Sequence, residues 1–368
     1  MNFSPKFYRN LSRTFPFGII WLITGWIFLF TESVSTGYQN VYPEESITLT
    51  LPVFVFASFA LLIVGMLVGV IELVVLENRL TQFSLGKKVL YKFLIYTILM
   101  CFIIVVAFML ATSIELGTNP FDSQVVEKTT RFMGSIVLLN TIVQLCFQLM
   151  LSLLYAAISE NLGYQVLFNF FTGKYHKPKK ERRIFMFLDM KSSTSIAESL
   201  GNEKYFQLLQ AYYDSMSDAI INTHGEVYQY IGDEVVITWM EERGVENSNC
   251  LLCFQKIRES ISAKRLDFKT KFGLIPEFKA AIHLGEVTTG EIGALKKEVI
   301  YTGDVLNTTA RVQGLCNQYK TDLIFTEDLL HALPNRKAIS YHFLGELSLK
   351  GKTQKVKLYD AMADQYSV

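Results

Sequence analysis

The chain has 368 residues, room for two or three domains at ordinary domain sizes, and half of them are hydrophobic. A mean hydropathy of +0.27 is unusual for a soluble protein of this length and points to a membrane portion. Thirty-five Lys and Arg offset 34 Asp and Glu, which excludes a general nucleic-acid binder, since that would need a basic surface against phosphates.

Four apolar runs occupy the first half: Phe15–Phe30, Leu49–Leu76, Leu90–Thr112 and Met133–Ser159. About 20 helical residues span a bilayer core, so the first run is slightly short and the others ample. A cleaved signal peptide would explain one run, not four. Charge sets the orientation. Lys6, Arg9 and Arg13 precede the first run; the loop after it has Glu32, Glu44 and Glu45 without Lys or Arg; the next has Arg79, Lys87, Lys88 and Lys92. The N-terminus, the second loop and everything after residue 160 are therefore expected on the cytoplasmic side. Asn140, Gln144, Gln148 and Ser152 recur every four residues and share one helix face. Such a face serves either signal reception or hydrogen bonding between helices, and the second is the commoner use. Cys101 and Cys146 lie in these apolar runs.

Residues 160–182 read as a juxtamembrane linker between a transmembrane domain over 1–159 and a second domain over 183–368. Gly173 and Pro178 interrupt the helical pattern, and Lys174, Lys177, Lys179, Lys180, Arg182 and Arg183 form a basic cluster suited to anionic lipid.

Beyond it the pattern changes. Arg183–Met190 reads as a buried strand, and Lys191–His224 as helix with a break near Gly201. Glu226–Asp233 and Glu234–Met240 read as a hairpin, and Val245–Leu266 as a long helix. Pro276–Thr288 and Glu298–Tyr301 read as strands, Val305–Tyr319 as a helix, and Asp322–Thr326 as a strand. Tyr341–Leu349 with Lys355–Ala361 reads as a closing hairpin. The expected class is α+β with a mostly antiparallel sheet flanked by helices. Cys250 and Cys253 sit in the long helix; a zinc site would need a second pair at similar spacing, and none exists.

Two carboxylates stand out. Asp189 ends the first strand and Asp233 occupies the hairpin turn. A lone strand-end Asp is usually a turn residue. Two on adjacent strand ends suit hard cations, which take one or two carboxylates plus phosphate oxygens.

Phe187–Thr194 (FLDMKSST), Tyr230–Val235 (YIGDEV), Tyr301–Arg311 (YTGDVLNTTAR) and the weaker Lys350–Lys352 (KGK) together resemble the class III nucleotide cyclases, in order, over nearly all of residues 183–361. The resemblance does not extend to the membrane half. It implies a ferredoxin-like catalytic domain in a membrane-bound cyclase. Asp189, Asp233 and the Met190 carbonyl would hold two Mg²⁺ or Mn²⁺ ions. Lys191, Ser192, Ser193 and Thr194 would cradle phosphates, Lys350 would reach the terminal ones, and Asn307 with Arg311 would orient ribose and stabilise the reacting phosphate. It also implies a homodimer with two shared sites, one chain giving the Asp pair and the other Asn307 and Arg311, and cyclic nucleotide signalling as the role.

Family base selection falls on Gln229, four before Asp233, and Ile300, seven before Asn307; neither matches the adenylyl or guanylyl pattern, and Thr302 is a second candidate on the face of Ile300. ATP is the preferred substrate because the guanine-reading Glu is absent; GTP stays open. No family phosphate-binding arginine is evident before the fifth strand, and Lys296 or Lys297 is its candidate replacement. Other readings are a non-catalytic nucleotide-binding receptor and a four-helix transporter; the spans hold almost no charge beyond Glu72. The signal sensed by the membrane half is unknown.

Overall fold

The computed structural model describes residues 4–37, 39–76, 83–334, 341–348 and 355–361. Two compact units emerge, one over Tyr8–Phe168 and the other over Asn169–Val368 with the few residues before Tyr8.

The first unit is helical: α1 (Pro5–Ser35), α2 (Leu51–Val70, continued by a π-helical turn over Ile71–Leu76), α3 (Leu85–Leu116), the short amphipathic α4 (Ser123–Met133) and α5 (Ile136–Leu162). Four of them, α1, α2 with its π turn, α3 and α5, are long and apolar enough to cross a membrane. In lipid, helices associate by close packing and polar contacts rather than by a hydrophobic drive. Both devices occur. A Cβ on Gly65 would lie 2.7 Å from the Phe17 carbonyl oxygen and 2.8 Å from Trp21 Cβ, so only glycine permits this approach of α2 to α1. Trp21 Nε1 donates to Ser152 Oγ at 2.8 Å, and Gln148 Nε2 to Thr24 Oγ1 at 3.2 Å. Half of the polar stripe on α5 thus binds α1, while Asn140 is exposed. Glu72 is buried in the π turn, held by Lys92 and by Tyr96 Oη at 2.6 Å.

The second unit begins with part of α6 (Tyr164–Thr172) and holds one sheet: β1 (Lys179–Met190), β2 (Glu226–Ile231), β3 (Glu234–Met240), β4 (Phe278–Ile292), β5 (Glu298–Thr302), β6 (Leu323–Thr326), β7 (Tyr341–Leu347) and β8 (Val356–Ala361). The order is β2-β3-β1-β4-β6-β8-β7, with β5 hairpinned onto β4; among the described residues only β4 and β6 pair in parallel. Helices α7 (Ser193–Leu200), α8 (Asn202–Asn222), α9 (Asn249–Ala263), α10 (Arg265–Phe272), α11 (Asp304–Gly314) and α12 (Glu327–Ala332) flank it. The central β1 reads as a continuous apolar run because both faces are covered. Ile184, Met186, Leu188 and Met190 enter the large core under α8 and α9, whereas Phe185 and Phe187 pack with Val236, Val287 and Val305 of α11.

The structure starts β1 four residues earlier than expected, so Lys179, Lys180, Arg182 and Arg183 of the basic cluster are strand residues. Arg183 is 1% exposed rather than at a membrane surface: its guanidinium meets Glu226 at 2.8 Å, Glu181 at 3.3 Å and Thr238 at 3.1 Å, and lies 4.8 Å from the Tyr301 ring centroid. The expected long helix is two, α9 and α10, divided at Lys264.

Candidate active site

Strand alternation sends Asp189 out at the end of β1 on the face of Phe185 and Phe187. Its antiparallel register partner is Lys279 of β4, whose Nζ lies 3.5 Å from Asp189 Oδ2; Gln313 Nε2 of α11 donates to the same oxygen at 3.1 Å. Asp233 arrives beside it because β3 neighbours β1, with Val235 opposite Leu188. The β2–β3 loop is two residues, and Gly232 takes its first position at φ +64°, a conformation that costs glycine little. Tyr213 Oη donates to the Gly232 carbonyl at 2.7 Å.

Burial raises the Asp233 carboxyl above the usual carboxylate range, helped by the Asp189 carboxyl within hydrogen-bonding reach and opposed by a hydrogen bond from Ser193. Burial, Asp189 and Asp233 likewise raise Glu234. Asp233 Oδ2 is buried with no hydrogen-bond partner among the described residues. An orphaned carboxylate oxygen beside a second carboxylate fits a hard divalent cation, which satisfies the lone pairs and offsets the repulsion. Among the described residues no group of three or more His, Cys, Asp or Glu is placed to hold a metal, so the Asp pair is the candidate.

The structure gathers Asp189, Asp233 and Ser193. Ser192 sits at φ +58° just before α7, and no side chain caps that helix, so its first N–H groups, at Ser193 and Thr194, stand open to an anion. Lys191 turns elsewhere, to Asp322 at 2.6 Å and Glu277 at 3.5 Å. The Met190 side chain is buried in the core, which leaves only its carbonyl for a ligand. Asn307 and Arg311 share the exposed side of α11, opposite buried Val305, Thr308, Thr309 and Val312.

Other expected residues are not gathered with the carboxylates within the chain. Lys296 follows the far end of β4 from Lys279 and pairs with Glu298 at 2.6 Å. Fifteen strand residues extend roughly 50 Å, so Lys279 rather than Lys296 stands next to Asp189. Gln229 is exposed just after a β-bulge. Ile300 lies opposite Gly290, and Thr302 opposite Thr288, whose carbonyl takes the Thr302 hydroxyl at 3.1 Å. Both alternate with Tyr301, which packs on Phe185 and Tyr228. Lys350 falls outside the described residues. Lys279 and Gln313 escaped sequence reading; the β1–β4 register is what exposes the first.

The family profile of the adenylate and guanylate cyclase catalytic domain matches residues 175–362. The chain belongs to this family. The chain is similar to adenylate cyclase 2 of Rhizobium meliloti strain 1021, at 35% identity over 210 residues, covering 57% of this chain and 58% of that protein. Adenylate cyclase of Anabaena cylindrica is 26% identical over 190 residues, covering 50% of this chain and 37% of that protein. The chain thus spans less than two thirds of these relatives. The fold also matches the structure of a bacterial light-regulated adenylyl cyclase, with a TM-score of 0.52 at 19% identity over 62% of this chain and 66% of the other.

Proposed function

We propose that this protein is a membrane-bound adenylate cyclase that converts ATP to 3′,5′-cyclic AMP and pyrophosphate for intracellular signalling, with the N-terminus and cyclase domain cytoplasmic. The observation that carries the reading is the pairing of Asp189 with Asp233, the latter with a buried unpartnered oxygen, beside the open N-terminus of α7.

Asp189, Asp233 and the Met190 carbonyl would hold two Mg²⁺ or Mn²⁺ ions. Bound there, such ions acidify the ribose 3′-hydroxyl and neutralise phosphate charge. The α7 N–H groups at Ser193 and Thr194 receive phosphate oxygens, and Lys279 lies beside the pair as a further cation for them. The exposed Asn307 and Arg311, four apart on one helix, reach a single ligand together. The Arg311 fork offers bidentate donors to the phosphate under attack. The direction of these two side chains, away from their own sheet, supports completion of each site by a second copy in a symmetric homodimer. Positive charge before α1 and between α2 and α3 supports the cytoplasmic orientation.

Turnover by the purified full-length protein tests the proposal, with ATP and with GTP, each with Mg²⁺ and Mn²⁺. Cyclic AMP formation that Asp189→Asn abolishes is the expected result. Cyclic GMP alone would make the enzyme a guanylate cyclase of the same mechanism. No product from either nucleotide would leave a nucleotide-binding receptor.

A further inference from the structure

Three tyrosines of α8 feel the charge of the carboxylate pair. Tyr205 and Tyr212, seven residues apart, share a helix face, and Tyr213 follows about 100° further round. Burial raises each of their hydroxyls, and Asp189 and Asp233 add to the effect in all three. Tyr212 is fully enclosed in the large core, whereas Tyr213 is partly buried and makes a specific contact.

That contact falls on the Asp233 turn. Tyr213 Oη donates to the Gly232 carbonyl at 2.7 Å, and the Tyr213 ring lies 4.4 Å from the Tyr230 ring on the incoming strand. The Gly232 carbonyl belongs to the planar peptide unit joining Gly232 to Asp233. Fixing that oxygen fixes the plane, and with it the direction in which Asp233 leaves the backbone. The turn needs such a hold. Gly232 has φ +64° and no side chain to restrict it, and the loop has only two residues. A tyrosine packed only for its ring would not need a hydroxyl aimed at this carbonyl.

We infer that Tyr213 is a positioning residue: its hydroxyl sets the Gly232–Asp233 peptide plane and so presents the Asp233 carboxylate to a divalent cation. The inference rests on the cyclase reading of the carboxylate pair. Tyr213 acts through the Gly232 carbonyl that accepts its hydroxyl. Outer partners of metal-binding groups change affinity about 10- to 100-fold when removed.

The test is Mn²⁺ binding, measured by electron paramagnetic resonance on the full-length protein in detergent with no nucleotide present. Tyr213→Phe keeps the ring and removes the donor, and the Mn²⁺ dissociation constant should rise about tenfold. Replacing Tyr213 by 4-aminophenylalanine, which keeps a donor at the ring's end, should restore binding. Amide exchange at Asp233 and Glu234 should be faster in Tyr213→Phe than in the parent. Equal Mn²⁺ affinity in the parent and Tyr213→Phe overturns the positioning role, as does failure of 4-aminophenylalanine to restore it. Absence of Mn²⁺ binding by the parent brings down the carboxylate reading together with this inference, so the two failures are distinguishable.

Discussion

Gln313 donates to Asp189 Oδ2 at 3.1 Å from the helix that also carries Asn307 and Arg311. One face of α11 is thus tied to the chain's own carboxylate while the other offers its polar pair outward. Removing the tie with Gln313→Leu should reduce turnover about tenfold by loosening Asp189. Titration of activity against Mn²⁺ measures it, and the loss should shrink as Mn²⁺ rises. A loss independent of metal concentration would place the role of Gln313 elsewhere.

Asp189→Asn and Arg311→Ala should each be inactive alone and active when coexpressed. With random pairing, half the dimers are mixed and one of their two sites is intact, so about a quarter of the parent activity should return. Recovery near zero would mean that a single chain builds the whole site.

Arg183 is buried, and its removal takes the buried cation from the enclosed Glu181 carboxylate, which keeps the Tyr175 and Thr289 hydroxyls and Lys174 at 3.9 Å. Arg183→Met should cost about 3 kcal/mol, the order seen when one partner of a buried pair is lost. Thermal unfolding of the purified protein reads this out. The doubly changed Arg183→Met, Glu181→Gln should recover part of the loss.

Burial pushes the Cys250 and Cys253 thiols up to about 12 and the Cys316 thiol up to about 11. The folded values exceed those of an unfolded chain, so the unfolded state loses these protons first as pH rises. The stability they confer is complete below about pH 8.5 and is lost progressively toward pH 12. At pH 8 iodoacetamide should label Cys250 and Cys253 far more slowly in native protein than in denaturant, which mass spectrometry of the peptides can follow.

Much of this architecture is legible in sequence because the physics is local. Four apolar runs, the glycine break before α8, the Gly232–Asp233 turn and the closing hairpin all announce themselves through composition and period. What stays hidden depends on partners far away in the chain. Arg183 belongs by sequence to a basic cluster, but Glu226 and Tyr301 make it a core residue. Lys279 is an unremarkable lysine early in an apolar strand until the register sets it opposite Asp189. Helix α4 has too mixed a charge pattern to stand out, and α12 is only six residues long. Lys296 and Lys297 fit a missing cation by charge and motif, while Lys279, at the other end of β4, is the lysine that register sets beside Asp189 within the chain.

The twelve residues of β1 run without interruption from Lys179 to Met190, paired along one edge to β4 throughout and along the other to β3 over Arg183–Leu188. Mechanically it is a tie-rod. A strand held along one edge throughout and along both edges over its middle resists stretching, so a displacement imposed near Pro178 should reach Asp189 with little lost in loops. Inserting a single flexible residue before Lys179 should therefore uncouple whatever is joined there from Asp189 without touching the chemistry.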